Sequence, residues 1–269
     1  MEALSMRRII SNIELFMFDL DGTLYRGDRV FEASASVLDE IKRQGKRYLL
    51  LTNNSSKSSW EYHAKLRKMG LPAGPDEVYT STMATMAYLK RVGMKKLYVL
   101  AMPSVKREFE QEGFVLRDDA PDAVVLCFDL TLTYEKIYTA CRLIMSGSAF
   151  VATHPDVLCP SEGFPYPDCG AISRMITAAT GAEPTVLGKP NKTMVDAALA
   201  IGRSSAQSAA MVGDRLNTDM EMGYRTNLKT ILVLSGVTSQ QEVNQAPRKP
   251  DIILESVADL LQLLGSLRQ

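Results

Sequence analysis

The sequence predicts an α/β protein: a parallel sheet with helices on both faces, and a second, smaller α/β unit inserted into it. Three observations carry this expectation. From residue 13 onward, apolar runs alternate with segments of helical period, as a helix-covered parallel sheet requires. The apolar runs stop abruptly at acids, glycines or small polar residues. The alternation then restarts near Lys96 before the first pattern resumes near Val186. A chain of 269 residues can bury two cores.

Taken in order, the first run is IELFMF (13–18), which ends at Asp19-Leu20-Asp21-Gly22-Thr23. A buried strand that ends in acids and a glycine points to a site at its carboxyl end. A helix over 33–44 aligns Ala35, Val37, Leu38 and Ile41, and Gly45 stops it. The strand 47–51 runs into Thr52-Asn53-Asn54-Ser55. A helix over 60–69 closed by Gly70, a short strand 77–80 and a helix near 83–92 complete the first part. The restart comprises KLYVLAM, a helix near 104–112, PDAVVLCF, a helix near 134–146 and AFVAT; it continues through a Pro- and Gly-rich loop, 155–170, into a helix over 170–180. The last third places Lys189-Pro190 before a helix over 192–201, then a strand 209–212 that ends in Gly213-Asp214. Strands 230–234 and 251–255 and a terminal helix, 257–264, follow. The expected division is a main unit of 1–94 and 184–269 with an inserted unit of 95–183.

Composition narrows the function. Apolar residues make up 46% and charged residues 23%, with 31 basic against 31 acidic side chains. A net charge of zero, with no block of like charges, excludes the electrostatic footprint of a nucleic-acid or acidic-membrane binder. A small molecule is the expected partner. Neither a secretory leader pattern nor an apolar stretch of membrane-spanning length is present, so a cytoplasmic location is expected. Cys127, Cys141, Cys159 and Cys169 form no C-x-x-C pair and read as reduced structural thiols. With only His63 and His154, chemistry built on several histidines is excluded.

Four polar clusters follow strands or open a helix: Asp19-x-Asp21-Gly22-Thr23, Thr52-Asn53, Lys189, and Gly213-Asp214 with Asp219. The carboxyl ends of parallel strands share one edge, so distant clusters can converge there. Gathered without compensation, Asp19, Asp21, Asp214 and Asp219 would disfavour one another's ionisation, so a cation is required. Lys189 supplies one charge. Carboxylate oxygens suit magnesium, and a site combining carboxylates, a hydroxyl, an amide, a lysine and magnesium suits a phosphoryl group.

In order and spacing these clusters resemble the four signature motifs of the haloacid dehalogenase-like hydrolase superfamily, whose core is Rossmann-like. The large insertion and the strings LLTNNS, GKPN and GDRLNTD resemble its NagD-type, para-nitrophenyl phosphatase-like branch, which carries an α/β cap. The resemblance implies a magnesium-dependent phosphatase for small phosphate monoesters of the sugar, nucleotide, pyridoxal, glycolate or para-nitrophenyl kind. It implies that Asp19 is the nucleophile that becomes an aspartyl-phosphate, and that Asp21 is the acid and base. Asp214, one oxygen of Asp19 and the main-chain carbonyl of Asp21 would hold magnesium. Thr52 and Asn53 would bind phosphate oxygens, Lys189 would neutralise Asp19 and the phosphoryl group, and Asp219 would support the metal from behind. Gly22 fits a turn whose backbone passes close to a ligand. Halide-releasing relatives lack the second aspartate, so Asp21 favours phosphoryl chemistry. The resemblance also suggests a homodimer. Related sequences often carry an acid where Asn217 stands, which touches the detail around the metal.

Weaker signals lie in the insertion. Cys169-Gly-Ala-Ile-Ser-Arg174 has four intervening residues where a cysteine phosphatase loop needs five, so Cys169 reads as a packed thiol. His154 and Asp168 occupy the places where caps of this type point substrate-selecting residues; otherwise they are polar turn residues of a Pro-rich loop. A phosphotransferase or phosphomutase on the same core, or a non-catalytic sensor of a phosphorylated metabolite, are the alternatives. The intact acids and lysine weigh against the sensor.

Overall fold

The computed structural model describes residues 2–161 and 163–268. The chain divides into two compact units. One comprises Met1–Thr52, His63–Tyr79 and Val195–Gln269, and the other Asn53–Tyr62 and Thr80–Met194.

The first unit is built on a six-stranded sheet in the order Ile252–Leu254, Lys229–Val233, Ala209–Gly213, Leu15–Asp19, Arg47–Thr52, Val78–Thr80. Its first five strands pair in parallel. The two central strands are covered on both faces, which is why Leu15, Phe16, Met17 and Phe18 are all buried in an unbroken apolar run rather than an alternating one. Register decides what lies at the edge. Phe18 sits level with Val212, and Asp19 with Leu51, so Asp19, Thr52 and the Gly213-Asp214 step finish at the same end of the sheet. The helix Ser34–Arg43 buries Val37, Leu38 and Ile41 and packs with the terminal helix Val257–Gly265.

The second unit carries a five-stranded parallel sheet in the order Thr185–Val186, Ala149–Ala152, Ala123–Leu126, Lys96–Leu100, Val115–Leu116. Period-two alternation sends Ala123 and Val125 into one apolar cluster with Phe109 and Phe114, and Val124 and Leu126 into another with Ile172 and Ile176. The helices Tyr134–Met145 and Cys169–Thr180 pack against each other.

The α/β architecture is the one the alternation predicts, and the structure adds elements that hydrophobic periodicity does not signal. A helix, Glu2–Ser11, precedes the first strand. A hairpin pairs Tyr25–Arg26 with Arg29–Val30 about Gly27, whose φ is 60°. A short antiparallel pair, Leu158–Cys159 with Tyr166–Pro167, lies inside the Pro-rich loop. After Asp214 the chain enters a π-helix, Leu216–Met220, that continues into the helix Glu221–Thr226. A helix over Gln240–Gln245 is opened by a capping box of Ser239 and Glu242. None of the described helices is long and apolar enough to cross a membrane.

Candidate active site

In the first unit, Asp19 is the last residue of its strand, and Asp214 follows directly on the end of the neighbouring strand. One carboxylate oxygen from each of Asp19, Asp214 and Asp219 lies within 4.8 Å of the others. Asp214 and Asp219 are wholly buried. The π-helix brings Asp219 back beside the strand end: the Arg215 N–H donates to Asp219 Oδ2 at 3.1 Å, and a Cβ on Gly213 would stand 2.5 Å from Asp219 Cβ.

Three glycines make the room for these carboxylates. Gly22 has φ +91°, and a Cβ there would lie 2.7 Å from Asp214 Cγ. A Cβ on Gly236 would fall on the same carboxylate. Gly213, as noted, leaves space for Asp219. Sequence reasoning singled out Gly22 but missed the loop Ser235–Thr238, which wraps Asp214. The Val237 N–H donates to Asp214 Oδ2 at 2.7 Å, and the Thr238 N–H to the Asp214 carbonyl at 3.2 Å. That loop is held in turn. Arg26 Nη2 donates to the carbonyls of Ser235 at 2.7 Å and Gly236 at 3.0 Å, while Ser235 Oγ donates to the Gly22 carbonyl at 2.8 Å. The Ser235-Gly236 pair directly after a strand run is the turn signal that could have flagged it.

Asp21 stands outside the three-carboxylate cluster and is partly buried. Burial raises its carboxyl above the ordinary range, opposed by Lys65, a hydrogen bond from the Gly27 backbone, Arg215 and Arg26. It therefore keeps a proton to higher pH than an exposed aspartate, as a general acid must. Thr52, buried at its strand end, is the third residue of this edge. The donor set fits a hard divalent cation: three carboxylates within 4.8 Å, two of them buried, are all-oxygen ligands whose mutual repulsion a cation relieves.

Asn53 and Lys189 belong to the second unit. The Asn53 side chain grips the main chain of Lys189 from both sides: its Oδ1 accepts the Lys189 N–H at 2.8 Å, and its Nδ2 donates to the Lys189 carbonyl at 3.0 Å. The same Nδ2 donates to Asp156 Oδ2 at 3.1 Å. The Asn53 amide is thus engaged in shaping the lysine segment. Lys189 is itself 2% exposed. His154 and Asp168 lie together in this unit, and both are buried. Asp168 caps the helix Cys169–Thr180 by accepting from the Cys169 N–H at 2.6 Å, so that helix starts one residue before the sequence expectation. Cys169 is buried, and desolvation pushes its thiol up to about 12, which makes it inert as a nucleophile.

Comparison with known proteins now identifies the lineage. The family described as haloacid dehalogenase-like hydrolase matches residues 16–115, and the HAD-hydrolase-like family matches residues 186–260. Dihydroxyacetone phosphatase of Corynebacterium glutamicum (strain R) is 34% identical over 246 residues, 91% of this chain and 90% of its own length. The chain belongs to the haloacid dehalogenase-like hydrolases. Within that family, ribonucleotide monophosphatase NagD of Escherichia coli (strain K12) is 33% identical, over 90% of this chain and 96% of its own. The crystal structure of a 4-nitrophenylphosphatase from Thermotoga maritima superposes with a TM-score of 0.91 at 40% identity, covering 94% of this chain and 98% of that one. These similarities place this hydrolase on the NagD-type branch, among the phosphoric monoester hydrolases. Hydrolases of the family generally use a divalent metal, and an acidic cluster is present here. All four motifs fall within the two family matches; residues 116–185 lie outside both.

Proposed function

We propose that this hydrolase is a magnesium-dependent phosphatase that cleaves small-molecule phosphate monoesters through an aspartyl-phosphate on Asp19. The observation that carries the reading is the cluster of Asp19, Asp214 and Asp219, two of them buried, with Asp21, whose carboxyl burial raises, two residues from Asp19. In the first half-reaction a carboxylate oxygen of Asp19 attacks phosphorus, the bond to the ester oxygen breaks, and Asp21 gives its proton to the departing alkoxide. In the second, Asp21 takes a proton from water as the water oxygen attacks phosphorus. The bond to Asp19 then breaks and inorganic phosphate leaves. Asp19, Asp214 and the Asp21 carbonyl would hold magnesium, which when bound would neutralise charge on the phosphoryl oxygens. Thr52 binds one of those oxygens through its hydroxyl. Because the Asn53 amide is engaged by Lys189 and Asp156, the part of Asn53 in phosphate binding falls to its main chain. Lys189 brings the cationic side chain that meets the phosphoryl group. The second unit is the cap that selects the leaving group, a role supported by residues 116–185 standing apart from the shared family matches.

The test is phosphate release from dihydroxyacetone, ribonucleotide, sugar, pyridoxal, glycolate and 4-nitrophenyl phosphates, with magnesium and with chelator, for wild type and Asp19→Asn. Magnesium-dependent release that vanishes in the variant, with a phosphoryl adduct on Asp19 in quenched wild-type samples, is expected. Uncatalysed monoester hydrolysis is so slow, with accelerations up to about 10²¹-fold, that loss of the nucleophile leaves almost nothing. Release that survives chelation, or that Asp19→Asn retains, overturns the reading.

A further inference from the structure

His154 has a place in the second unit that neither a turn residue nor a displayed selectivity residue would need. Its side chain is wholly buried, and neither ring nitrogen makes a hydrogen bond. Each nitrogen instead faces a carboxylate: Nδ1 is 3.5 Å from Asp156 Oδ2, and Nε2 is 3.5 Å from Asp168 Oδ1. Two acids brought to one buried ring would repel each other in a medium that screens poorly. The ring stands between the two carboxylates, with one nitrogen 3.5 Å from each, and keeps them apart. The ring is therefore a brace that fixes where both carboxylates stand.

Each carboxylate has a structural task. Asp168 caps the helix Cys169–Thr180. Asp156 accepts from Asn53 Nδ2, and this settles which end of the Asn53 amide is the donor, because a carboxylate only accepts. With that end fixed, Oδ1 is turned to receive the Lys189 N–H, and Nδ2 reaches the Lys189 carbonyl. A second, direct contact leads to the same place. A Cβ on Gly188 would stand 2.6 Å from both Asn53 Oδ1 and the Thr153 carbonyl and 3.0 Å from His154 Cβ, so the backbone entering Lys189 packs against His154 itself.

We propose that His154 is a positioning residue for Lys189, acting through Asp156 and the Asn53 amide to fix the main chain from which the lysine side chain extends. The proposal rests on the reading of Lys189 as the cation that meets the phosphoryl group. A charge that must meet a transition state has to be placed to within a fraction of an ångström, and a misplacement of about 1 Å can cost about 10²-fold in rate. The rigidity of this buried chain supplies the placement, and it is felt more in turnover than in substrate capture.

The test compares kcat and KM for 4-nitrophenyl phosphate, with saturating magnesium, in wild type, His154→Ala, Asp156→Asn, Lys189→Met and the two double variants with Lys189→Met. Thermal melts are run alongside. His154→Ala and Asp156→Asn are each expected to lower kcat by about 10- to 100-fold with KM within about threefold. In the Lys189→Met background neither should lower the residual rate further, because the residue they position is gone. Turnover within twofold of wild type in both single variants overturns the proposal. So does an equal loss whether or not Lys189 is present, since that locates the effect elsewhere. If His154→Ala gives no cooperative melt, the near-isosteric Asp156→Asn decides by the same criteria. Full activity in Lys189→Met alone would sink the reading of Lys189, and the proposal with it, whatever the other variants do.

Discussion

Gly213→Ala is the sharpest probe of the carboxylate cluster, because the substitution adds one methyl group at a strand position with no backbone strain to confuse the result. The new Cβ would stand 2.5 Å from Asp219 Cβ and 2.5 Å from its Oδ2. Ordinary van der Waals contact begins near 3.4 Å, so the two must part by about 0.9 Å, the difference of those distances. Rotation of the Asp219 side chain cannot provide this, since Cβ itself is in the way; the π-helix Leu216–Met220 has to shift. Asp219 is wholly buried and tied to the Arg215 N–H, so the shift carries its carboxylate out of the cluster. A displacement near 1 Å at a reacting site costs about 10²-fold in rate. Weakening of support behind a metal site costs about 10- to 100-fold in metal affinity. Overpacking of this kind costs about 1–3 kcal/mol of stability, or about 2–12 °C of melting temperature for a chain of this size class. Initial rates on 4-nitrophenyl phosphate across a magnesium titration, with a melt beside them, measure all three. Gly265→Ala, where nothing lies within 4 Å, is the control and should leave rate and magnesium dependence unchanged. A Gly213→Ala enzyme with the wild-type magnesium midpoint and wild-type kcat would refute the placement of Asp219 in the working site.

Two further outcomes concern Asp21 and Asp251. Asp21→Asn should slow alkyl phosphates at least about tenfold more than 4-nitrophenyl phosphate, because an alkoxide needs the proton that a nitrophenolate does not; general-acid catalysis contributes about 10²–10⁴-fold. Equal losses on both substrate types would contradict the acid role. Asp251 is partly desolvated, which alone would raise its carboxyl, but hydrogen bonds from the Thr230 hydroxyl and N–H and from Lys229 prevail and hold it below the ordinary range. A depressed carboxyl contributes stability that is fully present above the unfolded value near about 3.9 and is lost as pH falls through the folded one. The wild-type melting temperature should therefore fall more steeply below about pH 4 than that of Asp251→Asn, and parallel curves would show that the Thr230 and Lys229 contacts do not favour the charged form.

Much of this site was legible in the sequence because it is written in local terms. Asp19-x-Asp21-Gly22-Thr23 and Gly213-Asp214 each combine an apolar strand run with the polar residues that end it, and a parallel sheet places such ends on one edge whatever the distance along the chain. Gly22 announced a close approach, and the structure supplies its partner, Asp214. Arg26 and Val237 were not legible. Arg26 reaches the Ser235 and Gly236 carbonyls across a sequence separation of 209 and 210 residues, and no pattern of period or propensity encodes such a pairing. The helix Gln240–Gln245 was readable in principle, from Ser239 and Glu242 three residues apart, but it spans six residues and buries only Val243, so no apolar stripe marks it.

The sequence by itself determined the α/β class and the inserted unit, and it put Asp19, Asp21 and Asp214 forward as candidates at the strand ends. Backbone period and residue chemistry act over a few positions, and those are what a sequence displays directly. Only tertiary structure decided that Asp219 stands within 4.8 Å of Asp19 and Asp214, since that closeness depends on a π-helix folding back onto the strand end. It also decided that the Asn53 amide is occupied by the Lys189 main chain, and that His154 lies buried between Asp156 and Asp168. An amide, an imidazole or a carboxylate can serve a ligand or the chain itself. Which one it serves is settled by the donors and acceptors that packing brings within reach, and those come from segments far apart in sequence.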